Sequence, residues 1–198
     1  MLQKINAVNK VLDAVVPLRN PTKIHEAMRY SFLSGGKRIC SIVCIAFVDG
    51  NESIAMPSAC ALEMVHAACL MHDYLSCTDS DDLRRWKPSN HKVFGEYVIV
   101  LAGCALVTCA FEHIVTTIVG VKLEKILRVI GELARLIGLE GVVVGQVDDL
   151  ESGGQDQSDM GFEKLEYIHF HKTTAALEAS AIAGAMLEKK SVAITCMT

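Results

Sequence analysis

The stretch HDYLSCTDSDDLRRWK, residues 72–87, is the most unusual part of the chain and decides how the rest is interpreted. Four aspartates fall within ten residues and two consecutive arginines follow them: Asp73, Asp79, Asp81, Asp82, Arg84 and Arg85. Carboxylate oxygens are suitable ligands for Mg²⁺, and guanidinium groups form paired hydrogen bonds to phosphate. The composition therefore fits a site that holds Mg²⁺ and a polyphosphate together. The alternative is a solvated surface loop whose charges neutralise each other.

The segment before this stretch is apolar, with three polar residues that a helix would place on one face: Glu63, His66 and Asp73. At about 100° per residue, the three lie within an arc of about 80°. A polar stripe on an apolar helix faces either solvent or a polar cavity. The spacing predicts a helix over residues 57–74 that leads into the acidic stretch.

Apolar residues recur at helical spacing along most of the chain, and the alternation typical of strands is absent from the sequence. The predicted helices cover residues 2–16, 22–34, 37–49, 57–74, 91–119, 122–138, 139–151 and 161–188. Each of the four prolines, Pro57 among them, falls at a predicted helix boundary, and a polar loop is predicted over residues 153–159. The pattern predicts one all-α domain, residues 1–198.

Composition excludes several classes of protein. The chain has 198 residues, of which 51% are hydrophobic, so it is not disordered, and its net charge of −4 gives no general reason to bind nucleic acid. The longest run without a charged residue, 97–111, has 15 residues, which indicates a buried helix rather than a membrane span. The N-terminus has no signal-peptide pattern. The eight cysteines are interpreted mainly as small buried residues in a reducing compartment.

Three further motifs are candidates for binding: SGGKR at residues 34–38, GQVDD at 145–149 and HFHKT at 169–173. Two glycines before Lys37 allow close approach of an anion to the backbone, but the motif is not a Walker A sequence and a helix cap explains it equally well. The histidines at 169 and 171 point to different faces of a helix, so they are not expected to chelate a metal.

Taken in this order, GGKR, EMVHAACLMHD, the acidic stretch running into KPSNHKVFGE, GQxxD and HxHKT resemble the motifs of trans-prenyl diphosphate synthases. The resemblance covers residues 29–187 and is strongest to the plant geranylgeranyl diphosphate synthases. It implies an isoprenoid-synthase-type helical bundle around a central cavity, usually dimeric. It also implies the Mg²⁺-dependent condensation of isopentenyl diphosphate with an allylic diphosphate (dimethylallyl, geranyl or farnesyl). A plastid location is expected from the family.

The resemblance assigns roles to individual residues. Asp73 and Asp79 are expected to be Mg²⁺ ligands. The residues expected to bind isopentenyl diphosphate are Lys37, His66 and Arg85. Those expected to bind the allylic diphosphate are Arg84, Lys172 and Thr173. The residues expected to line the cavity are Ala68, Cys69, Gln146 and Asp149. Ala68 and Cys69 are small, which favours a product of geranylgeranyl length or longer.

The chain also departs from the family pattern. Tyr74 replaces the second aspartate of the first aspartate-rich motif, Cys40 and Ser41 replace the Arg and Pro of GGKRxRP, and Cys104 replaces the Asp of LAGDAL. A second aspartate-rich motif and the C-terminal helices are expected beyond residue 198, so the bundle is expected to lack them.

The ordered motifs lead to one hypothesis and these departures to a second, besides a non-functional truncated product. The chain is a prenyltransferase, as a homodimer or a heterodimer, or it is a catalytically impaired small subunit that binds an active synthase. The high apolar content favours a partner subunit.

Overall fold

A computed structural model describes residues 1–48, 51–153 and 161–187. These residues form ten α-helices, one π-helical turn and a short hairpin. In chain order the elements are α1 (Leu2–Val15), α2 (Thr22–Phe32), α3 (Ile39–Ala46), α4 (Glu52–Asp73), β1 (Leu83–Arg84), β2 (Lys87–Pro88), α5 (Asn90–Phe94), α6 (Glu96–Thr117), α7 (Leu123–Ile137), α8 (Val142–Ser152), α9 (Phe162–His169), the π-helical turn (Phe170–Thr174) and α10 (Ala175–Leu187). The predicted all-α class is confirmed for the described residues.

The chain divides into two compact units. The first comprises Met1–Arg38 and Ala59–Thr117, and the second comprises Ile39–Ser58 and Ile118–Thr198. The predicted single domain stays a prediction.

In the first unit, α2 packs against α6, and α5 packs against both. Its core consists of apolar side chains that α1, α2 and α6 bury completely or nearly so, among them Leu12, Phe32, Ile99 and Leu106. Asn90, at the start of α5, is also buried, and its side-chain amide donates hydrogen bonds to the Ala27 carbonyl at 3.2 Å and to Ser31 Oγ at 2.6 Å. This polar contact fixes the end of the hairpin segment against α2.

In the second unit, α10 packs along α7 and α3, and α8 packs against the π-helical turn. Four fully buried apolar side chains form much of this core: Ile45, Val129, Leu133 and Leu187. Gly184 of α10 allows close packing on α3, because a Cβ there would clash with the Cys44 carbonyl oxygen. The unit is thus built by the packing of helices alone.

Several predicted helix boundaries are wrong. Helix α3 begins at Ile39 rather than residue 37, because Arg38 adopts a left-handed backbone conformation with φ +53° that ends any helix. Helix α4 begins at Glu52 and contains Pro57, which was predicted to mark its start. The predicted helix 91–119 is divided at Gly95, whose φ is +88°. The predicted helix 139–151 begins later, at Val142.

The last predicted helix, 161–188, is interrupted by the π-helical turn at Phe170–Thr174. The predicted polar loop at 153–159 and the end of that helix at 188 lie outside the described residues, apart from Gly153. The hairpin at residues 83–88 was not predicted, because two-residue strands carry no alternation that a pattern could reveal.

Two helices, α4 and α6, are long and apolar enough to cross a membrane by length and composition. Core helices of soluble proteins pass the same test, and α4 is largely buried. The predicted absence of a membrane span therefore stays a prediction. The cysteines are less uniform than predicted: Cys44 and Cys60 are buried, whereas Cys77 and Cys104 are exposed.

Candidate diphosphate-binding site

The acidic stretch folds back on the C-terminal end of α4. Asp73 is the last residue of the helix, and its carbonyl accepts hydrogen bonds from the Asp79 backbone N–H at 3.0 Å and from Thr78 Oγ1 at 2.7 Å. The same hydroxyl donates to the His72 carbonyl at 2.8 Å. These bonds satisfy carbonyl groups that have no partner within the helix. They also bring the two predicted Mg²⁺ ligands, Asp73 and Asp79, to the same turn.

The two carboxylates at this turn fit only one way of binding Mg²⁺. Within the described ranges, no group of three or more His, Cys, Asp or Glu side chains is placed to hold a metal ion. Mg²⁺ is commonly held by one or two carboxylates, several waters and substrate phosphates. Asp73 and Asp79 therefore suit a Mg²⁺ ion shared with a bound diphosphate, not a cage made by the protein alone.

The hairpin presents the two arginines at the end of this stretch. Arg85 and Trp86 form its two-residue turn, with φ values of +49° and +64°, which is the pattern of a type I′ turn. Arg85 Nη1 donates to the Ser34 carbonyl at 3.3 Å and also to the Gly35 carbonyl. The hairpin is therefore attached to the glycine loop that precedes Lys37.

Gly36 makes this attachment possible. A Cβ at this position would lie 2.9 Å from Arg85 Nη2, and the φ of Gly36 is +140°. A side chain at this position would have a strained backbone and would require the Arg85 guanidinium to shift. The structure thus brings together the loop of Lys37 and Arg85, which were both predicted to bind isopentenyl diphosphate. Lys37 itself is exposed.

Arg84 is half-buried and lies over the ring of Tyr74, with 5.6 Å between its guanidinium carbon and the ring centroid. Burial and the adjacent charge of Arg85 lower the pKa of Arg84, whereas Tyr74 and Asp73 act in the opposite direction. The predicted ligand of the allylic diphosphate thus lies over the ring of Tyr74, the residue that follows the first predicted Mg²⁺ ligand.

His66 lies on α4, seven residues before Asp73, and its side chain is exposed to solvent. The surrounding protein removes part of its hydration, which lowers its pKa; Glu63 opposes this effect, and the charges of Arg84 and Arg85 add to it. The imidazole is therefore largely neutral at pH 7. A neutral imidazole keeps one N–H donor for a phosphate oxygen.

A buried ion pair between Arg38 and Glu63 lies one turn of α4 before His66. Arg38 Nη1 lies 2.9 Å from Glu63 Oε2, with side-chain exposures of 4% and 5%, and Arg38 Nε donates to Asn9 Oδ1 at 2.9 Å. The sequence placed Glu63 on the same polar stripe as His66 and Asp73, but its carboxylate is buried against Arg38. The role of Arg38 was missed; the available signal was a lone carboxylate in an apolar segment, which requires a partner.

In the second unit, the predicted residues of α8 and the π-helical turn form a separate group. Lys172 Nζ lies 2.5 Å from Asp149 Oδ2, and both side chains are partly exposed. Gly145 allows the turn to approach α8, because a Cβ there would lie 2.5 Å from the Lys172 backbone nitrogen. The ion pair orients the ammonium group of Lys172.

The remaining predicted site residues lie on elements already described: the π-helical turn, α8 and α4. Thr173 is exposed in the π-helical turn, beside Lys172. The buried Nε2 of Gln146 has no hydrogen-bond partner among the described residues, so it is a donor available to a ligand. Ala68 is buried and Cys69 half-buried on α4, about one turn before Asp73. Burial, with the nearby Asp73, raises the pKa of Cys69 to about 11, so the thiol is neutral.

Comparison with known proteins gives consistent matches. The sequence profile of the family described as polyprenyl synthetase matches residues 21–197. The geranylfarnesyl diphosphate synthase, chloroplastic, of Leucosceptrum canum is 66% identical over 190 residues, which are 94% of this chain and 52% of that protein.

The heterodimeric geranylgeranyl pyrophosphate synthase large subunit 1, chloroplastic, of Arabidopsis thaliana is 56% identical over 192 residues, again 94% of this chain and 52% of that protein. Among solved structures, the geranyltransferase from Legionella pneumophila matches with a TM-score of 0.86 and 27% identity, over 97% of this chain and 68% of that one. The chain spans about half the length of the curated relatives it matches.

Proposed function

Because the chain belongs to the polyprenyl synthetase family, we propose that it acts in Mg²⁺-dependent prenyl transfer, joining isopentenyl diphosphate to an allylic diphosphate. The allylic substrates are dimethylallyl, geranyl and farnesyl diphosphate. The observation that carries the proposal is the position of the hairpin, which holds Arg84 over the ring of Tyr74, the residue after Asp73, and attaches Arg85 to the loop of Lys37.

The arrangement suits a reaction in which a diphosphate leaves. The allylic C–O bond breaks, both electrons go to the diphosphate, and the double bond of isopentenyl diphosphate attacks the allylic carbon. The new cation then loses a proton to the released diphosphate, which restores a double bond. Arg84 holds the departing diphosphate, and its positive charge stabilises the developing negative charge. Mg²⁺ held by Asp73 and Asp79 supplies further neutralisation of that charge when bound.

The second substrate is held by its own diphosphate. We assign this role to Lys37, Arg85 and the neutral imidazole of His66. Two cations and one N–H donor suit a diphosphate that must be bound but not cleaved, because they add hydrogen bonds without a metal ion. The replacement of an arginine by Cys40 removes one such contact, and this weakens binding by about 1.5–3 kcal/mol relative to a chain with arginine there.

In the second unit, we assign Lys172 and Thr173 to the allylic diphosphate and Gln146 and Asp149 to the cavity. The ion pair between Asp149 and Lys172 supports the first assignment, because it holds the ammonium group in one orientation.

The product is of geranylgeranyl length or longer. Ala68 and Cys69 support this, because small side chains one turn before Asp73 leave room for the growing prenyl chain. The name of the Leucosceptrum canum relative, a geranylfarnesyl diphosphate synthase, agrees with a long product.

A plastid location is supported by relatives whose names carry the word chloroplastic. A homodimer, or a heterodimer with another prenyl synthase subunit, is supported by the heterodimeric relative and by exposed apolar side chains along α6, such as Tyr97, Leu101 and Val115. No nucleic-acid partner is proposed.

The test is an assay of the purified chain with labelled isopentenyl diphosphate, Mg²⁺ and each of the three allylic acceptors. We expect an elongated product of geranylgeranyl length or longer, lost in EDTA and strongly reduced in Asp73→Asn. Circular dichroism of each sample establishes that the helices are intact. A folded sample that gives no product with any acceptor contradicts the activity for this chain.

A second function is favoured by Tyr74, which places a neutral ring where the family pattern has a carboxylate. It is that of a catalytically impaired small subunit that binds an active synthase. Its test is to mix the chain with an active geranylgeranyl diphosphate synthase and to measure co-elution and product length. No co-elution and an unchanged product contradict it.

A further inference from the structure

Tyr74 makes a contact that the replaced carboxylate could not make. We propose that Tyr74 is a positioning residue for Arg84, whose guanidinium it holds by the face of its ring so that the N–H donors stay directed to a diphosphate. This proposal rests on the proposed function, since it requires that Arg84 binds a diphosphate.

The surroundings of Arg84 show why such a partner is needed. The guanidinium is half-buried, Arg85 is its neighbour in the chain, and the charge of Arg38 also acts on it. Asp73 attracts the guanidinium, but the charges of Arg85 and Arg38 repel it, so charge alone does not set its orientation. The ring of Tyr74, with its centroid 5.6 Å from the guanidinium carbon, offers a region of negative potential without a formal charge.

A ring and a carboxylate differ in what they leave for the ligand. A carboxylate at position 74 would accept the N–H groups of Arg84 and would repel a diphosphate. A cation–π contact takes up no N–H donor, so all five remain available to phosphate oxygens. Tyr74 thus replaces a metal ligand by an orienting surface for the arginine.

The backbone that carries the ring is held at the end of α4. The backbone N–H of Tyr74 donates to the Leu70 carbonyl at 3.3 Å, which continues the hydrogen-bonding pattern of α4 by one residue. The next residue, Leu75, is buried, and its carbonyl accepts a hydrogen bond from the Thr78 backbone N–H at 3.0 Å. The backbone of Tyr74 is therefore fixed between the helix and the folded-back turn.

The experiment measures the binding of inorganic diphosphate to the full chain by titration calorimetry, once with Mg²⁺ and once in EDTA. We expect Tyr74→Leu to weaken binding about 2- to 5-fold in both conditions, because the contact between ring and guanidinium involves no metal. Tyr74→Phe keeps the ring face and is expected to bind within a factor of about two of the parent chain. If Tyr74→Leu does not fold, Tyr74→Met takes its place.

A double-mutant cycle separates this role from a general structural effect. In the background of Arg84→Met, which itself weakens binding, Tyr74→Leu is expected to cause no further loss. An equal loss in both backgrounds would overturn the proposal, and so would equal weakening by Tyr74→Phe and Tyr74→Leu.

Three other outcomes are equally clear. A loss seen only with Mg²⁺ would assign Tyr74 to the metal site and overturn the positioning role. A parent chain that binds no diphosphate in either condition would remove the proposed function and this inference together. Diphosphate binding that Arg84→Met weakens and Tyr74→Leu leaves unchanged would overturn the inference alone.

Discussion

Trp86 lies at a backbone position that favours glycine. Its φ is +64°, in the second position of the type I′ turn, and its side chain is 95% exposed, so no burial compensates for the strain. We expect Trp86→Gly to raise the free energy of unfolding by about 0.5–1 kcal/mol. Chemical denaturation followed by circular dichroism measures this difference.

The matched control at the same position is Trp86→Val. A β-branched residue tolerates a positive φ poorly, so this variant is expected to be less stable than the parent chain. Equal stability of the Gly and Val variants would show that the turn is not strained by Trp86.

The ion pair between Arg38 and Glu63 leads to a second prediction. Both side chains are almost fully buried, so removing the carboxylate leaves an uncompensated charge in the core. We expect Glu63→Leu to lower the free energy of unfolding by about 3–5 kcal/mol, measured by urea denaturation. The double variant with Arg38→Met is expected to recover part of this loss.

The comparison for this pair is Glu140→Gln, which removes an exposed carboxylate 3.3 Å from Arg135. Exposed ion pairs contribute little, so this variant is expected to unfold at nearly the same urea concentration as the parent chain. Equal losses for the two single variants would mean that burial does not set the strength of the Arg38–Glu63 pair.

At the scale of residues, the sequence indicated which residues belong to the site but not which side chains contact each other. The family resemblance assigned Arg85 and Lys37 to the same ligand, and the hydrogen bonds from Arg85 to the Ser34 and Gly35 carbonyls place their segments side by side. Nothing in the spacing could show that Glu63 turns inward, because a polar stripe on a helix has the same pattern whether it meets solvent or a buried guanidinium.

At the scale of elements, the long helices could be predicted and the interruptions could not. Periodicity places the bodies of α1, α2 and α7 close to where they lie. The boundaries at Arg38 and Gly95 depend on single backbone conformations, with φ values of +53° and +88°, which the packing of neighbours selects. The hairpin is set by its attachment to the glycine loop, a long-range contact without a local pattern.

The close contact of α8 with the π-helical turn leads to a third prediction. A Cβ at Gly145 would lie 2.5 Å from the Lys172 nitrogen and 2.9 Å from the His171 carbonyl carbon, and backbone atoms cannot move aside as a side chain can. We expect Gly145→Ala to lower the free energy of unfolding by about 1–3 kcal/mol, measured by thermal and urea denaturation.

A glycine of the same unit serves as the control. Gly131 lies within α7, and a Cβ there would meet nothing within 4 Å. Gly131→Ala is expected to stabilise the chain by about 0.5–1 kcal/mol, since alanine favours the helix and restricts the unfolded chain. If both variants were stabilised, α8 and the π-helical turn would not be in close contact.

For the whole molecule, family membership confirms the resemblance that the ordered motifs showed. The all-α class followed from the absence of strand patterns and from apolar residues at helical spacing. The high apolar content was assigned in part to core, which fits the many buried apolar side chains of both units. Division of the chain into two compact units could not be predicted, because no linker marks it.

The stability of the whole chain in mild acid gives the last prediction. Burial lowers the pKa of His113, and loss of hydration, opposed by Glu63, lowers that of His66, both from an ordinary value of 6.5. The unfolded chain therefore binds more protons than the folded chain once the pH falls to about 6.5, so the stabilising contribution is present above that pH and is lost below it. We expect the urea concentration at the midpoint of unfolding to decrease as the pH is lowered from 7.5 to about 5.5. The double variant His66→Gln/His113→Gln is expected to show a smaller decrease. At pH 8 both imidazoles are neutral in either state, so a comparison there gives the effect of the substitutions themselves. Equal slopes for the parent chain and the double variant below pH 7 would mean that neither histidine is protonated more readily on unfolding, and the acid sensitivity would then belong to other groups.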